Sequence, residues 1–317
     1  MRVMVFIPCY NDTVSAHRLS RQFEGDERVE KILIVDDSDD PGNIEYSGRI
    51  GGGKTEIVRR ERSGKWSAWR LALERATAYD GLVEVDSDVR VGDIGPLIRG
   101  LRAYDVVTAY QEIVVPPKRA FLSRRIGEVY RDTHRRLKGM GKFNMGGRAI
   151  ALSGRAVRGL LERGFFEEPV LADDHVICLA SSTLGLRHTS LDCGLKVKAP
   201  SKVSEWIRYR SRHRGAIPWS EDYVSRKIGD REKVKGISRV DYGVTRKYFL
   251  KSLFESFHPL NLLILLLFGA CSLLPIEDRV EWSRLRSTKF VQMRSLLFDV
   301  AAKIVGANFW SMIRSVG

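Results

Sequence analysis

Three acidic pairs carry the chemistry-bearing residue types of this sequence. Asp86 and Asp88 end the apolar run Leu82-Val83-Glu84-Val85 with one residue between them. In an extended chain residues i and i+2 face the same side, so both carboxylates can present oxygens to one point. Hard cations such as Mg²⁺ or Mn²⁺ take carboxylate oxygens and complete their coordination from substrate phosphates. The plainer alternative is a strand-end turn in which an aspartate caps the next element. Asp36-Asp37 closes a second apolar run, Ile32-Leu33-Ile34-Val35. Carboxylates placed there can accept hydrogen bonds from a base N–H or a ribose hydroxyl; otherwise they form a solvated turn, the expectation for Asp39 and Asp40. Asp173-Asp174 opens a helix pattern. Adjacent helical residues point about 100° apart, so the two cannot both face a common site, and simple helix capping is the plainer reading of the pair. The one that faces away is a first-turn charge that the helix dipole favours.

The elements that must position these residues alternate. Residues 3–7 predict a strand buried on both faces. Pro8-Cys9-Tyr10-Asn11-Asp12 breaks it, and residues 14–23 predict a helix capped by Asp12 or Thr13. Strands follow at 32–35, 56–60 and 82–86, with a helix at 66–78 whose Trp69, Leu73 and Ala76 share a face. Strand–helix alternation predicts an α/β fold: a mostly parallel central sheet flanked by helices. Ligands of such sheets sit at the carboxyl ends of the strands, so Pro8, Asp36-Asp37 and Asp86-Asp88 converge on one crevice. Further on, the patterns predict a strand at 105–109 and a basic helix at 118–138. A tight turn at Asn144-Met145-Gly146-Gly147 and a helix capped by Ser153 come next. A helix from 171 to 183, a strand at 195–198 and a very basic helix at 204–215 complete the assignable part. Residues 216–256 receive no assignment.

With 317 residues, 44% hydrophobic and 9% aromatic, the chain has ample core for a folded domain. Its net charge of +14 suits phosphorylated substrates, an anionic membrane surface or nucleic acid. The four cysteines are scattered, without a Cys-x-x-Cys pair, which gives neither a zinc pattern nor a disulfide framework. A reducing cytoplasm is the expected compartment, and Met1-Arg2 runs straight into a strand without a secretory leader.

Taken in order, these segments resemble the family 2 glycosyltransferases, which have the GT-A (Rossmann-like) fold. The resemblance covers roughly residues 3–215. Ile7-Pro8-Cys9-Tyr10-Asn11-Asp12 is similar to the family's Pro-x-Tyr-Asn-Glu opening, and Val35-Asp36-Asp37-Ser38 to its Val-Asp-Asp-Gly-Ser loop around the nucleoside. Ser63-Gly64-Lys65 with Ala68 and Ala72 resembles its Gly-Lys-x-x-Ala segment. Asp86-Ser87-Asp88 matches its metal motif, and Ala172-Asp173-Asp174 occupies the place of its Thr-Glu-Asp. Tyr209-Arg210-Ser211-Arg212-His213 has the spacing of its Gln-x-x-Arg-Trp, with Tyr209 and His213 replacing Gln and Trp. Because the full motif accompanies processive synthases, the departure implies non-processive transfer.

The resemblance implies an inverting, metal-dependent transfer of a sugar from a UDP- or GDP-linked donor to an acceptor hydroxyl. It assigns Asp174 as catalytic base and Arg212 as a hold on the phosphates. Pro8, Tyr10, Asp12, Asp36, Asp37, Lys65 and Asp86 then fall to the nucleotide sugar. Asp86 and Asp88 fall to Mg²⁺ or Mn²⁺, and Gly146, Gly147 and Asp173 to the acceptor region. His175 and His213 lie beside these positions and are expected to be structural.

Two other readings compete. Gly48-Arg49-Ile50-Gly51-Gly52-Gly53-Lys54-Thr55 satisfies the letters of a phosphate-loop ATPase or kinase. That loop should follow a buried strand and open a long helix; here polar residues precede it and a strand pattern follows. The basic helices at 118–138 and 204–215 could form a nucleic-acid surface, although neither carries a motif. The expected division places the transferase domain at 1–218 and a C-terminal region at 219–317. Within the latter, residues 257–276 form an apolar, membrane-contacting segment at the lower length limit for a bilayer span. Residues at about 285–314 suit an amphipathic surface helix. A cell-membrane protein with its catalytic domain facing the cytoplasm, and a glycan or lipid-linked acceptor, follows as the expectation.

Overall fold

The apolar runs become the middle of a seven-stranded sheet. In the computed structural model, β1 (Val3–Cys9), β2 (Val29–Asp36), β3 (Thr55–Arg59) and β4 (Gly81–Val85) are parallel neighbours in the order β3-β2-β1-β4. The sheet continues with β6 (Ala149–Ser153), β5 (Val106–Val114) and β7 (His188–Lys198). β6 is antiparallel to both its neighbours, and β5 and β7 are parallel. The fold is therefore mixed α/β, with a mostly parallel sheet. The structure describes residues 1–48, 52–141, 147–255, 258 and 260–273, except for the side chains of 210–214, 239–243 and 268–273.

Ten helices are described: α1 (Thr13–Glu24), α2 (Pro41–Ser47), α3 (Lys65–Ala76), α4 (Gly95–Gly100), α5 (Phe121–Gly139), α6 (Gly154–Glu162), α7 (Asp173–Thr183), α8 (Val203–Ile228), α9 (Arg231–Glu255) and α10 (Leu260–Leu273). Alternation along the strands gives the sheet two cores. Phe6 and Leu33 join Trp69, Leu73, Ile150, Phe166 and Val176 on one face. Val5, Ile7 and Ile34 join Leu19, Phe23, Val83 and Leu97 on the other. Trp69, Leu73 and Ala76 are fully buried, as their spacing predicts. The Trp69 ring meets Phe6 edge-on at 5.3 Å and stacks with Phe166 at 5.9 Å; truncating such a residue to Ala costs about 3–5 kcal/mol.

Several elements depart from expectation. Asp40 is exposed, as expected, but it also caps α2, accepting from the Asn43 backbone N–H at 3.0 Å, with Pro41 in the first turn. Strand β6 stands where only a turn and a helix were expected, because its run is too short and alanine-rich to show a period. α8 passes unbroken through residue 218, with Pro218 inside it. Tyr223, Val224 and Val234 then join the first core, so α8 and α9 belong to the same unit as the sheet, Met1–Glu277. The second unit, Asp278–Gly317, lies outside the described residues, and with it the amphipathic helix expected at about 285–314.

Among the described residues no helix is long and apolar enough to cross a membrane. Within the apolar segment expected at 257–276, α10 is described over 14 residues, about 21 Å at 1.5 Å per residue; residues 256, 257, 259 and 274–276 lie outside the described residues. α10 packs through Ile264, which is buried with Ile126, Val129, Trp206 and Leu253. Its first turn is latched, since Arg125 Nε donates to Asn261 Oδ1 at 3.0 Å.

Candidate active site

The parallel strands deliver their carboxyl ends to one edge of the sheet, and the loops there are tied together. Asn11, which follows β1 with a left-handed φ of 54°, donates its backbone N–H to Ser38 Oγ at 2.9 Å and its Nδ2 to Asp39 Oδ1 at 2.7 Å. Its Oδ1 accepts the backbone N–H groups of Asp39 and Asp40. Asp12 supplies the cap position of α1 without a side-chain bond. Tyr10 donates its hydroxyl to Asp39 Oδ2 at 2.9 Å, and the Arg62 guanidinium lies 4.0 Å from the centre of its ring. Pro8 lies beside Val35 in the β1–β2 ladder, within this edge.

Asp36 and Asp37 are both buried at the end of β2. Asp36 Oδ1 accepts from the Ser38 N–H and hydroxyl, while Oδ2 is buried without a hydrogen-bond partner among the described residues. Asp37 is gripped through both oxygens by Arg60, Nε to Oδ1 at 2.5 Å and Nη2 to Oδ2 at 3.1 Å. Burial raises the Asp37 pKa above its ordinary value, although Arg60 pulls the other way. Arg60 also donates to Ser67 Oγ at 2.6 Å and so fixes the start of α3. Gly64, with φ +89°, makes the turn into that helix, a conformation that a β-carbon disfavours.

At the end of β4 the acidic groups meet two cations. Lys65, the first residue of α3, places Nζ 2.8 Å from Asp86 Oδ1, 2.8 Å from Asp173 Oδ2 and 3.0 Å from Glu84 Oε1. Burial works against its ammonium, but the charges of Asp173, Asp86 and Glu84 outweigh it and hold the pKa well above the ordinary lysine value. Burial pushes the fully buried Glu84 carboxyl well above the usual range, and Lys65 pulls it back only in part. One turn along α3, Trp69 Nε1 donates to Asp173 Oδ2 at 2.8 Å. Arg148 comes from the other side. The antiparallel register sets Val85 opposite Ala149, and the Asp86 N–H donates to the Arg148 carbonyl at 3.1 Å. Arg148 Nη1 then lies 3.2 Å from Asp86 Oδ2, 2.8 Å from Asp88 Oδ1 and 2.9 Å from Asp88 Oδ2. For Asp86, burial is outweighed by Lys65 and Arg148, and its pKa falls below the ordinary value.

Asp174, half-buried in the first turn of α7, accepts from the His175 N–H at 2.9 Å. Gly147 lies against it so closely that a β-carbon there would come within 2.1 Å of Asp174 Cβ. Residues 147 and 148 thus join the two halves of the site: one touches Asp174, the next touches Asp86 and Asp88.

Of the residues proposed from sequence, Lys65, Asp86, Asp88, Gly147, Asp173 and Asp174 come together here, and Tyr10, Asp12, Asp36 and Asp37 line the neighbouring loops. Asp173 faces α3 and β4, held by Lys65 and Trp69. Arg212 lies on α8 with its side chain outside the described residues, and Gly146 lies outside them altogether. His175 is buried, as expected of a structural histidine. Arg60, Arg62, Glu84, Trp69 and Arg148 were not anticipated. The spacing puts Trp69 only on a core face of its helix, and Glu84 leaves a trace as an acidic residue inside an apolar run.

Cys9 and Cys193 are buried, and burial pushes each thiol up to about 12, far from a reactive thiolate. The Gly48–Thr55 stretch is not followed by a helix; residues 55–59 are β3. Lys54 Nζ donates to the Asp26 carbonyl at 2.8 Å and Thr55 Oγ1 to Glu24 at 2.9 Å. A polar cavity of about 250 Å³ lies there, lined by His17, Arg21, Glu24 and Gly53 among others. It opens at the amino end of β3, opposite the acidic edge. The basic residues of α5 are partly engaged within the chain, with Arg124 on Glu128, Arg125 on the buried Asn261 and Arg136 on Glu255 at the surface.

No family model matches the chain, and no curated protein matches it. Solved structures do resemble it. Glucosyl-3-phosphoglycerate synthase from Mycobacterium tuberculosis, with Mn²⁺, UDP and glucosyl-3-phosphoglycerate, is 16% identical over 72% of this chain and 80% of its own, with a TM-score of 0.46. GalNAc-T7 with UDP, GalNAc and Mn²⁺ is 13% identical over 78% of this chain and 58% of its own, with a TM-score of 0.44. S. aureus TarS is 15% identical over 73% of this chain and 43% of its own, with a TM-score of 0.40.

Proposed function

We propose that the chain is a GT-A glycosyltransferase, similar to family 2, that moves a sugar from a nucleoside-diphosphate donor to an acceptor hydroxyl with inversion and without processivity. One observation carries the reading: a single cationic nitrogen, Arg148 Nη1, sits among three oxygens of Asp86 and Asp88 at the carboxyl end of a parallel strand. Those oxygens already converge on one positive centre, and they are the hard donors that Mg²⁺ or Mn²⁺ takes. Among the described residues no third Asp, Glu, His or Cys joins them as a ligand set. Asp86 and Asp88 would therefore hold the metal. When bound, it supplies charge neutralisation on a departing diphosphate.

The chain's own residues divide the remaining work. Tyr10 with Asp36 offers a ring and a buried acceptor for the base and ribose, and Asp37, held by Arg60, fixes the loop that carries them. Asp36 Oδ2, buried and without a partner among the described residues, suits an N–H or hydroxyl donor. Lys65 keeps Asp86 and Asp173 in place. Asp174 receives the acceptor proton as the acceptor oxygen bonds to the anomeric carbon and the bond from that carbon to the phosphate oxygen breaks. Asp174→Asn should lower turnover by about 10²–10⁴-fold while a nucleotide sugar still raises the melting temperature in the presence of Mn²⁺. Unchanged turnover removes Asp174 from the chemistry. Failure of every nucleoside diphosphate to stabilise the protein overturns the donor reading.

For location we propose that α10 lies on a membrane surface rather than across it, with the site facing the cytoplasm and a glycan or lipid-linked acceptor in reach. Leu262, Leu263 and Leu266 are exposed on its outer face at 65, 45 and 58%, with Phe254 at 64% nearby in sequence. Basic residues at 246, 247 and 251 precede it and suit anionic headgroups. Co-sedimentation with anionic vesicles tests this: binding lost on changing the three leucines to serine supports it, and no binding overturns it.

A further inference from the structure

The acidic edge holds Glu84, Asp86, Asp88 and Asp173 against two cations, Lys65 and Arg148. The cations are not equivalent. Lys65 touches three of the four acids and sits behind them, at the start of α3. Among the described residues the carboxylates that meet Arg148 are Asp86 and Asp88, through one nitrogen, and Asp88 is 60% exposed on its side chain. A divalent ion taking oxygens of both carboxylates would need the ground that Arg148 Nη1 holds. Two positive centres cannot share it: at such separations like charges repel strongly in a partly desolvated site. Arg148 cannot simply withdraw either, since its backbone is fixed opposite Asp86 by the β4–β6 register.

We propose that Arg148 is a resident counter-ion that competes with the divalent cation for Asp86 and Asp88, and that its displaced guanidinium is satisfied by the diphosphate arriving with the metal. The inference rests on the transferase reading above and adds an order to it. Metal alone binds weakly, because it must strip a guanidinium of the carboxylates it pairs with, Asp86 and Asp88. Metal with a nucleoside diphosphate binds well, because the phosphates replace those partners with charge-assisted bonds. The two ligands are then positively coupled through one side chain. The donor is thereby required for the metal to settle, which keeps an idle site neutralised by protein rather than by a free ion.

Mn²⁺ titration followed by the electron paramagnetic resonance signal of the free ion tests this without turnover. Wild-type protein and Arg148→Gln are each titrated with Mn²⁺ alone and with Mn²⁺ plus UDP or GDP. Arg148→Gln should tighten binding of Mn²⁺ alone by about tenfold or more and shrink the enhancement that the diphosphate gives. Arg148→Lys keeps a charge and should stay near wild type for Mn²⁺ alone, which separates competition from misfolding. Unchanged or weakened binding of Mn²⁺ alone in Arg148→Gln, in protein that keeps its wild-type melting temperature, overturns the competition. If wild-type protein binds Mn²⁺ under none of these conditions, the transferase reading falls with it. If wild type binds Mn²⁺ with diphosphate but both variants match it in every titration, only the role of Arg148 falls.

Discussion

Asp37 and Asp88 both stand at carboxyl ends of parallel strands, and an arginine answers each, yet the two pairs differ in kind. Asp37 is buried, with 8% of its side chain exposed, and Arg60 takes both of its oxygens through two different nitrogens. Asp88 is 60% exposed, and a single nitrogen of Arg148 is shared between it and Asp86. The first arrangement is a fixed part of the fold, since Arg60 also ties Ser67 and the Gly64 carbonyl at the entry to α3. The second is an exchangeable contact at an open edge. Breaking a buried pair strands an uncompensated charge, whereas an exposed charge is rescued by water. The same two residue types therefore serve structure in one loop and ligand exchange in the other.

Removing the arginines one at a time sharpens this contrast. Arg60→Ala leaves Asp37 buried without its partner, and a loss of about 3–5 kcal/mol is expected. Arg148→Gln should cost less than Arg60→Ala, since Asp88 turns to water and the buried Asp86 keeps its ion pair with Lys65. Denaturant midpoints at fixed slope measure both. A larger loss for Arg148 than for Arg60 would invert the assignment of structural and exchangeable pairs.

A second comparison sets Asp173 against its neighbour Asp174. Asp173 has fixed partners in Lys65 and Trp69 and belongs to the frame. Asp174 is placed by what is missing beside it, the side chain of Gly147. Gly147→Ala puts a carbon 2.1 Å from Asp174 Cβ, so the carboxylate must move. If Asp174 is the base proposed above, displacing it by an ångström costs about 10²-fold in turnover, with little change in donor affinity because the loops proposed for the nucleotide, at Tyr10 and Asp36, lie elsewhere. An equal loss of donor affinity would show that Gly147 supports the nucleotide rather than the base.

Much of this arrangement was legible in the residues. The apolar runs at 3–7, 32–35 and 82–86 could only be buried strands, and each stopped at polar residues, so the edge with Asp36, Asp86 and Asp88 followed. The helix over α3 was announced by Trp69, Leu73 and Ala76. What stayed hidden depends on pairing between distant segments. Arg148 looked like one more arginine in a chain with a net charge of +14, because β6 carries no period of its own. Only the register that opposes Ala149 to Val85 brings it to Asp86. Arg60 was hidden likewise, as it follows a strand that reads as merely basic. The length of α8 was masked by Pro218, an interior helix breaker tolerated on an exposed side.

The smallest expected effect separates the two ends of the sheet. Lys54 sits in letters that spell a phosphate loop, but at the amino end of β3, with its ammonium on the Asp26 carbonyl at 2.8 Å. The carbonyl is a neutral acceptor and the lysine is only half-buried, so Lys54→Ala forgoes one hydrogen bond worth about 1 kcal/mol. Affinity for nucleoside diphosphates and triphosphates should stay as it was, because every carboxylate proposed to meet the donor lies at the opposite strand ends. Calorimetric titration with ATP and with UDP in the presence of Mn²⁺ checks both halves of the expectation. A selective loss of ATP binding would move the nucleotide to the cavity lined by His17, Arg21 and Gly53, and would give the glycine-rich stretch the role that the acidic edge now holds.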